Sequence, residues 1–246
     1  MQIRKYADLD ALSRAAAQDF VALAKEAVAA RGVFHVLLSG GSTPKRLFQL
    51  LAAMGREALP WDAIHLWWGD ERTVPPDHAD SNYRMAREAL IEPLGLIQSH
   101  VHRIAGEVAD HDASARAYSR ELVTALGSPP TFDVVLLGLG PDGHTASLFP
   151  GSAALAETSR WVVANEVTSP LVHGTATRIT LTAPAINAAR HVRFLVSGAD
   201  KATALAQVLE GPREPERYPA QLIAPTAGDL VWLIDRTAAS LLGGGP

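Results

Sequence analysis

The sequence predicts an α/β fold: a mostly parallel sheet flanked by helices, of modified Rossmann-like type. Three observations predict it. Short apolar runs alternate with amphipathic stretches, the pattern of βαβ units. Four polar, glycine-containing segments, "SGGSTP", "GDERTV", "GLGPDGHT" and "SGADK", each follow the end of an apolar run. With 246 residues, 48% of them hydrophobic, the chain can bury a substantial core as one domain spanning 1–246.

From residue 8 to 31, Leu9, Leu12, Ala16, Phe20, Leu23 and Ala27 recur at steps of three and four, which predicts one amphipathic helix. "VFHVLLSGGSTP" reads as a buried strand entering a glycine turn. Thr43 is expected as the N-cap and Pro44 as the first residue of the helix "KRLFQLLAAM". "AIHLWWGDER" predicts a second strand, ending in charge. "DSNYRMAREALI" carries the start signature of a helix, and residues 112–126 predict one more. "FDVVLL" is the third strand; it runs into three glycines and places an acid, a histidine and a threonine where a helix can begin. "TRITLT", "HVRFLVSG" and "DLVWLID" predict further strands, the second leading into "ADKATALAQVLEG", a helix closed by Gly211. "GPREPERYP" reads as a surface loop with Tyr218 at its end.

Composition excludes several classes. No apolar run approaches the roughly 18 residues of a membrane span, and "MQIRKYADLDAL" has no apolar block behind its basic residues, so no secretory signal is expected. The absence of cysteine removes disulfides, thiolate metal sites and a cysteine nucleophile, and a cytoplasmic location is expected. A net charge of −4 without a basic run argues against a nucleic-acid surface. An anionic ligand would need cations converging locally, and Arg72, Arg178 and Lys201, each at a predicted strand edge, are the candidates.

Ligands of open parallel sheets bind beyond the carboxyl ends of the strands, so the four polar segments are expected to share one mouth. Gly40, Gly41, Ser42 and Thr43 combine bare backbone, two hydroxyls and a helix start, a suitable cradle for phosphate. The segment matches neither a Walker pattern nor a dinucleotide fingerprint, so no nucleotide is implied. Asp70 and Glu71 can be site acids, an ion pair with Arg72, or a cap. Among nine histidines, His144 alone follows a glycine-rich strand end and is the candidate proton carrier. His35, His65 and His191 read as packing residues, His100 and His102 lack a third metal ligand, and His173 lies in a polar loop near Arg178. Without a G-x-S-x-G elbow, serine-dependent acyl transfer has no support.

Together "LSGGSTPKRLFQLL", "WWGDERTVPPDHADSNYRMAREALI", "FDVVLLGLGPDGHTASLFPG", "RITLTAPAINAARHVRFLVSGADKATAL" and "YPAQLI" resemble the 6-phosphogluconolactonase family and, more distantly, glucosamine-6-phosphate deaminases. The resemblance implies hydrolysis of 6-phospho-D-glucono-1,5-lactone in the oxidative pentose phosphate pathway, on a deaminase/lactonase-type fold. It implies no metal and no organic cofactor; no nucleic-acid, membrane or obligate protein partner is expected. It implies His144 as general base, Asp142 as its support, Ser42 and Thr43 in the phosphate loop, and Arg72, Arg178 and Lys201 as phosphate-binding cations. Asp70 matches an aspartate of the deaminases and does not discriminate. Deaminases carry a glutamate five residues after the motif histidine, where this chain has Phe149. The rival readings are an aminosugar-phosphate deaminase and a sugar-phosphate sensor domain. Residues 1–32, with room for one helix and a short strand, leave no space for a DNA reader.

Overall fold

The computed structural model describes residues 1–243; residues 244–246, part of the expected domain, lie outside the described residues. The elements follow in the order β1 (Gln2–Tyr6), α1 (Leu9–Arg31), β2 (Phe34–Leu38), α2 (Ser42–Ala53), β3 (Ile64–Trp68), β4 (Asp70–Arg72), α3 (Asn82–Ala86), α4 (Glu92–Leu94), β5 (Val101–His102), α5 (His111–Leu126), β6 (Val134–Leu137), β7 (Val162–Ser169), β8 (Gly174–Leu181), α6 (Ala183–Asn187), β9 (His191–Val196), α7 (Ala202–Glu210) and β10 (Asp229–Asp235), joined by short 3₁₀ and π turns.

Seven strands form one parallel sheet in the order β1-β10-β9-β6-β2-β3-β5. The predicted fold class is therefore the one found. All four residues of β6 are buried, which is why "VVLL" shows no alternation: helices cover both faces of a parallel sheet. On α1 the stripe Leu12, Ala16, Phe20, Ala24 and Ala27 is buried, and Phe20 meets Phe34 of β2 edge-on at 5.3 Å. Asp8 caps this helix by accepting the Ala11 N–H at 2.8 Å, and Gly32 ends it in the left-handed region.

The strand order reverses between β2 and β6, which pair directly at Val36 with Val134 and Leu37 with Val135. From β2 the sheet grows outward through β3 and β5; from β6 it grows the other way through β9 and β10. Such a reversal opens a crevice beyond the carboxyl ends of the two central strands.

Four expectations need correction. The second helix starts at Ser42 with Gly41 (φ +104) as its cap, so Thr43 and Pro44 sit inside the first turn instead of at N-cap and N1. The glycine pair turns the chain earlier than a Thr-Pro signal implies, and proline is tolerated because N–H groups in a first turn have no helical partner anyway. "AIHLWWGDER" is two strands, broken at Gly69, whose N–H bonds to Leu38 and whose carbonyl accepts from Leu181. Beyond that break β4 joins a separate antiparallel sheet, β4-β8-β7, which also takes "TRITLT" and contains the unpredicted strand β7. No helix begins after "GLGPDG". The segment folds as turns, because Ala146 is left-handed (φ +47) and Leu148 bonds back to Thr145. Gly211 closes its helix through N–H bonds to Ala206 and Gln207, with an ordinary φ of −76.

Candidate active site

A cleft of about 280 Å³ opens beyond the carboxyl ends of β2, β6 and β9. All four polar segments reach it. Gly40 to Thr43, Asp70 with Arg72, Gly138 to Gly140 with His144, and Ser197 with Lys201 line its walls. Asp142 and Arg178 are outside the lining: Asp142 is bonded to His144, and Arg178 is the cross-strand partner of Arg72.

Behind β6 the chain makes a tight glycine turn, with Gly140 N–H bonded to the His144 carbonyl at 2.8 Å. His144 packs its ring directly over Gly140; a Cβ there would lie 2.0 Å from Nδ1, so only glycine fits. Asp142 Oδ1 meets Nδ1 at 2.6 Å and also accepts the His144 backbone N–H at 3.1 Å. Burial pushes the Asp142 carboxyl up, but the hydrogen bonds and charge of His144 outweigh it, and the carboxyl titrates below its usual range. A carboxylate on Nδ1 keeps the proton there and leaves Nε2 as the basic nitrogen. Phe149 covers one face of the ring, with centroids 4.1 Å apart and planes inclined by 15°.

Facing this turn is the start of α2. Gly41 caps it without any side-chain hydrogen bond, so the first N–H groups of a twelve-residue helix point outward at the cleft wall. Gly40 has no room for a side chain, since a Cβ would fall 1.9 Å from Asn82 Oδ1.

The acids of "GDER" separate into two environments. Glu71 is buried and accepts from the N–H groups of Arg72, Asn82 and Tyr83 and from Ser81 Oγ; it is the cap expected as one alternative, serving α3. Burial raises its pKa despite those four donors. Asp70, 8% exposed, lines the cleft and accepts from Ser147 Oγ at 2.6 Å and Asn82 Nδ2 at 3.3 Å.

Cations flank the opening. Arg72 donates to the Asp80 carbonyl at 2.5 Å and faces Arg178 across the β4–β8 pair. Burial and the Arg72 charge both lower the Arg178 pKa from its ordinary value. Lys201 sits in the turn before α7, its Nζ 2.9 Å from Asp200.

Several contributors escape sequence reasoning. Asn82 and Ser147 brace Asp70 from distant segments, and Leu171, at the tip of the β7–β8 hairpin, adds an apolar wall. Small hydroxyl and amide residues carry no periodic signal, and β7 itself was not legible. Tyr218 packs on Gly143, where a Cβ would meet its ring at 2.9 Å, so it supports the histidine turn from behind. His173 is exposed, left-handed and away from the cleft lining. The ring nitrogens of His102 meet His65 at 2.9 Å and Glu121 at 2.6 Å. Among the described residues no helix is long and apolar enough to cross a membrane.

Residues 7–232 match the model of the family described as glucosamine-6-phosphate isomerases/6-phosphogluconolactonase. The chain belongs to this family. It is 45% identical to a 6-phosphogluconolactonase of Synechocystis over 222 residues, covering 88% of each chain. Among solved structures, the 6-phosphogluconolactonase of Trypanosoma cruzi superposes with a TM-score of 0.84 at 33% identity, covering 97% of this chain and 96% of that one. A glucosamine-6-phosphate deaminase reaches the same TM-score of 0.84 at 25% identity, covering 98% of this chain and 100% of that one. The family thus holds both activities on one backbone, and side chains in the cleft must choose between them.

Proposed function

We propose that the protein hydrolyses 6-phospho-D-glucono-1,5-lactone to 6-phospho-D-gluconate in the oxidative pentose phosphate pathway. The observation that carries the reading is the Asp142–His144 pair, which presents one basic nitrogen in a cleft also lined by a helix N-terminus, Arg72 and Lys201. Water attacks C1 while His144 Nε2 removes its proton, and the carbonyl electrons move onto oxygen. When the tetrahedral intermediate collapses, the C1–ring oxygen bond breaks and the imidazolium returns the proton to that oxygen. General-base assistance of this kind contributes about 10²–10⁴-fold, enough for an activated ester. Backbone N–H groups of the 138–144 or 39–44 turns receive the oxyanion.

The remote phosphate is the orienting handle. Ser42, Thr43 and the Gly40–Gly41 backbone hold it at the helix start, with Arg72, Arg178 and Lys201 supplying charge. Asp70 lines the same wall and accepts a sugar hydroxyl. Each residue acts as it stands, without an added cofactor. The relatives named 6-phosphogluconolactonase support this reading over deamination, as does the apolar Phe149 against the imidazole. The continuous hydrophobic core supports one catalytic domain, and an anionic sugar phosphate as substrate fits a cytoplasmic location.

The test is spectrophotometric. Lactone is generated in situ by glucose-6-phosphate dehydrogenase, and its hydrolysis is read with 6-phosphogluconate dehydrogenase. Hydrolysis well above the spontaneous rate is expected; ammonia release from glucosamine-6-phosphate without such acceleration would overturn the reading.

A further inference from the structure

Phe149 neither binds the substrate nor transfers a proton in the proposed reaction, yet its placement is specific. It is 6% exposed but stands outside the continuous apolar core, and its flat face is spent on the His144 imidazole. The turn that brings it there is held against its own backbone preference. Ala146, left-handed without being glycine, sits in its middle. Five hydrogen bonds hold this turn: Thr145 Oγ1 to the Gly138 carbonyl, Leu148 N–H to the Thr145 carbonyl, Ser147 N–H to Thr180 Oγ1, Ser147 Oγ to Asp70, and Asn165 Nδ2 to the Ser147 carbonyl. A connection this over-determined is not needed to bury one phenyl ring.

The imidazole is consequently bounded on three sides. Asp142 fixes Nδ1, Gly140 lies against the Nδ1–Cε1 edge, and Phe149 covers a face. We propose that Phe149 is a positioning residue for the lactone hydrolysis, holding the plane of the His144 ring so that Nε2 stays aimed into the cleft while Nδ1 stays on Asp142. The inference rests on the hydrolytic reading above. Its physical basis is that a hydrogen bond at one nitrogen leaves the ring free to rock about that contact, and a flat neighbour removes this freedom. A phenyl face also offers no competing acceptor for the Nδ1 proton.

Two variants separate positioning from simple packing. Phe149→Leu keeps an apolar side chain but removes the flat face; Phe149→Tyr keeps the face. The readouts are kcat and KM on the phosphorylated lactone, thermal unfolding, and the NMR signals of the His144 ring protons, which lie in the ring current of Phe149. Expected for Phe149→Leu is a kcat lower by about 10-fold or more with KM within about 2-fold, and a downfield move of the imidazole signals. Phe149→Tyr is expected to stay within about 3-fold of the wild type. Should the leucine variant not fold, Phe149→Met replaces it as a flexible filler of the same space. Wild-type kcat in the leucine variant, equal loss in both variants, or unmoved imidazole signals overturns the proposal. Failure of the hydrolytic reading shows differently: the wild type then lacks lactonase activity, and the imidazole signals alone decide whether Phe149 holds the ring.

Discussion

Arg72 and Arg178 occupy directly opposed positions on β4 and β8, with Arg72 in the cleft wall and Arg178 half-buried outside the lining. Like charges on opposed strand positions repel, costing about 0.2–1 kcal/mol relative to a neutral pair. A bound dianion turns that cost into affinity.

The proposed role of Arg178 in supplying charge to the phosphate makes a prediction about Arg178→Met. Without ligand the variant should melt at or slightly above the wild-type temperature. Inorganic phosphate should stabilise the wild type and have much less effect on the variant. KM for the phosphorylated lactone should rise about 10-fold or more with a smaller change in kcat. Thermal shift with a phosphate titration, together with steady-state kinetics, checks all three. An unaltered phosphate response would remove Arg178 from the anion site.

Asp142→Asn should reduce kcat by about 10²–10⁴-fold, because an amide can stabilise the wrong imidazole tautomer and cannot support the imidazolium. KM should change little. The same carboxyl has its pKa lowered by folding, so its contribution to stability is complete above its ordinary value of 3.8 and is lost as pH falls through the folded value. Chemical denaturation at pH 7 and pH 3 measures this: the stability gap between wild type and variant should narrow at the lower pH.

At the opposite end of the sheet, His35 and His65, two of the three histidines read as packing residues, cluster with His100 and His102, whereas the third, His191, bonds to Asp229 on β10. His65 lies 4.3 Å from His100 and 5.0 Å from His35 between ring centroids, and 2.9 Å from His102 between nitrogens. Trp67, Glu121 and the buried Asp133, itself paired with Arg31 and Arg190, surround them. Burial, reinforced by the neighbouring imidazoles, lowers the His65 pKa from 6.5 to about 4. An unfolded chain takes up a proton below pH 6.5 that folded His65 refuses until about pH 4, so stability falls across that window as pH drops. His65→Phe should flatten the melting temperature between pH 6.5 and pH 4; a slope equal to that of the wild type would place the acid sensitivity elsewhere.

What the sequence showed in advance was the part written in periodicity and punctuation. The stripe of α1, the apolar strands of the parallel sheet and the glycine turns after β2 and β6 were all legible, and with them the convergence of His144, Asp70, Arg72 and Lys201. The second sheet was not, because "GDER" continues an apolar run without interruption except at Gly69, and one glycine does not announce a change of partner strand. β7 escaped because "VVANEVTS" has mixed polarity, with one face against the body and the other in solvent. The bracing of Asp70 by Asn82 and Ser147 depends on contacts 12 and 77 residues apart in sequence, which no local pattern encodes. The helix expected after Gly143 failed for a related reason: tertiary hydrogen bonds from Thr145 and Ser147 outweigh local propensity.

The left-handed bend at Ala146 has a wider consequence. Because the chain doubles back between Thr145 and Leu148, the course of the backbone brings position 149 beside the imidazole. The bend behaves as a fixed socket with an exchangeable insert. An acid in place of Phe149 would set a second carboxylate beside the imidazole where an apolar plate now stands, so one position separates two different surroundings of the same ring on one scaffold.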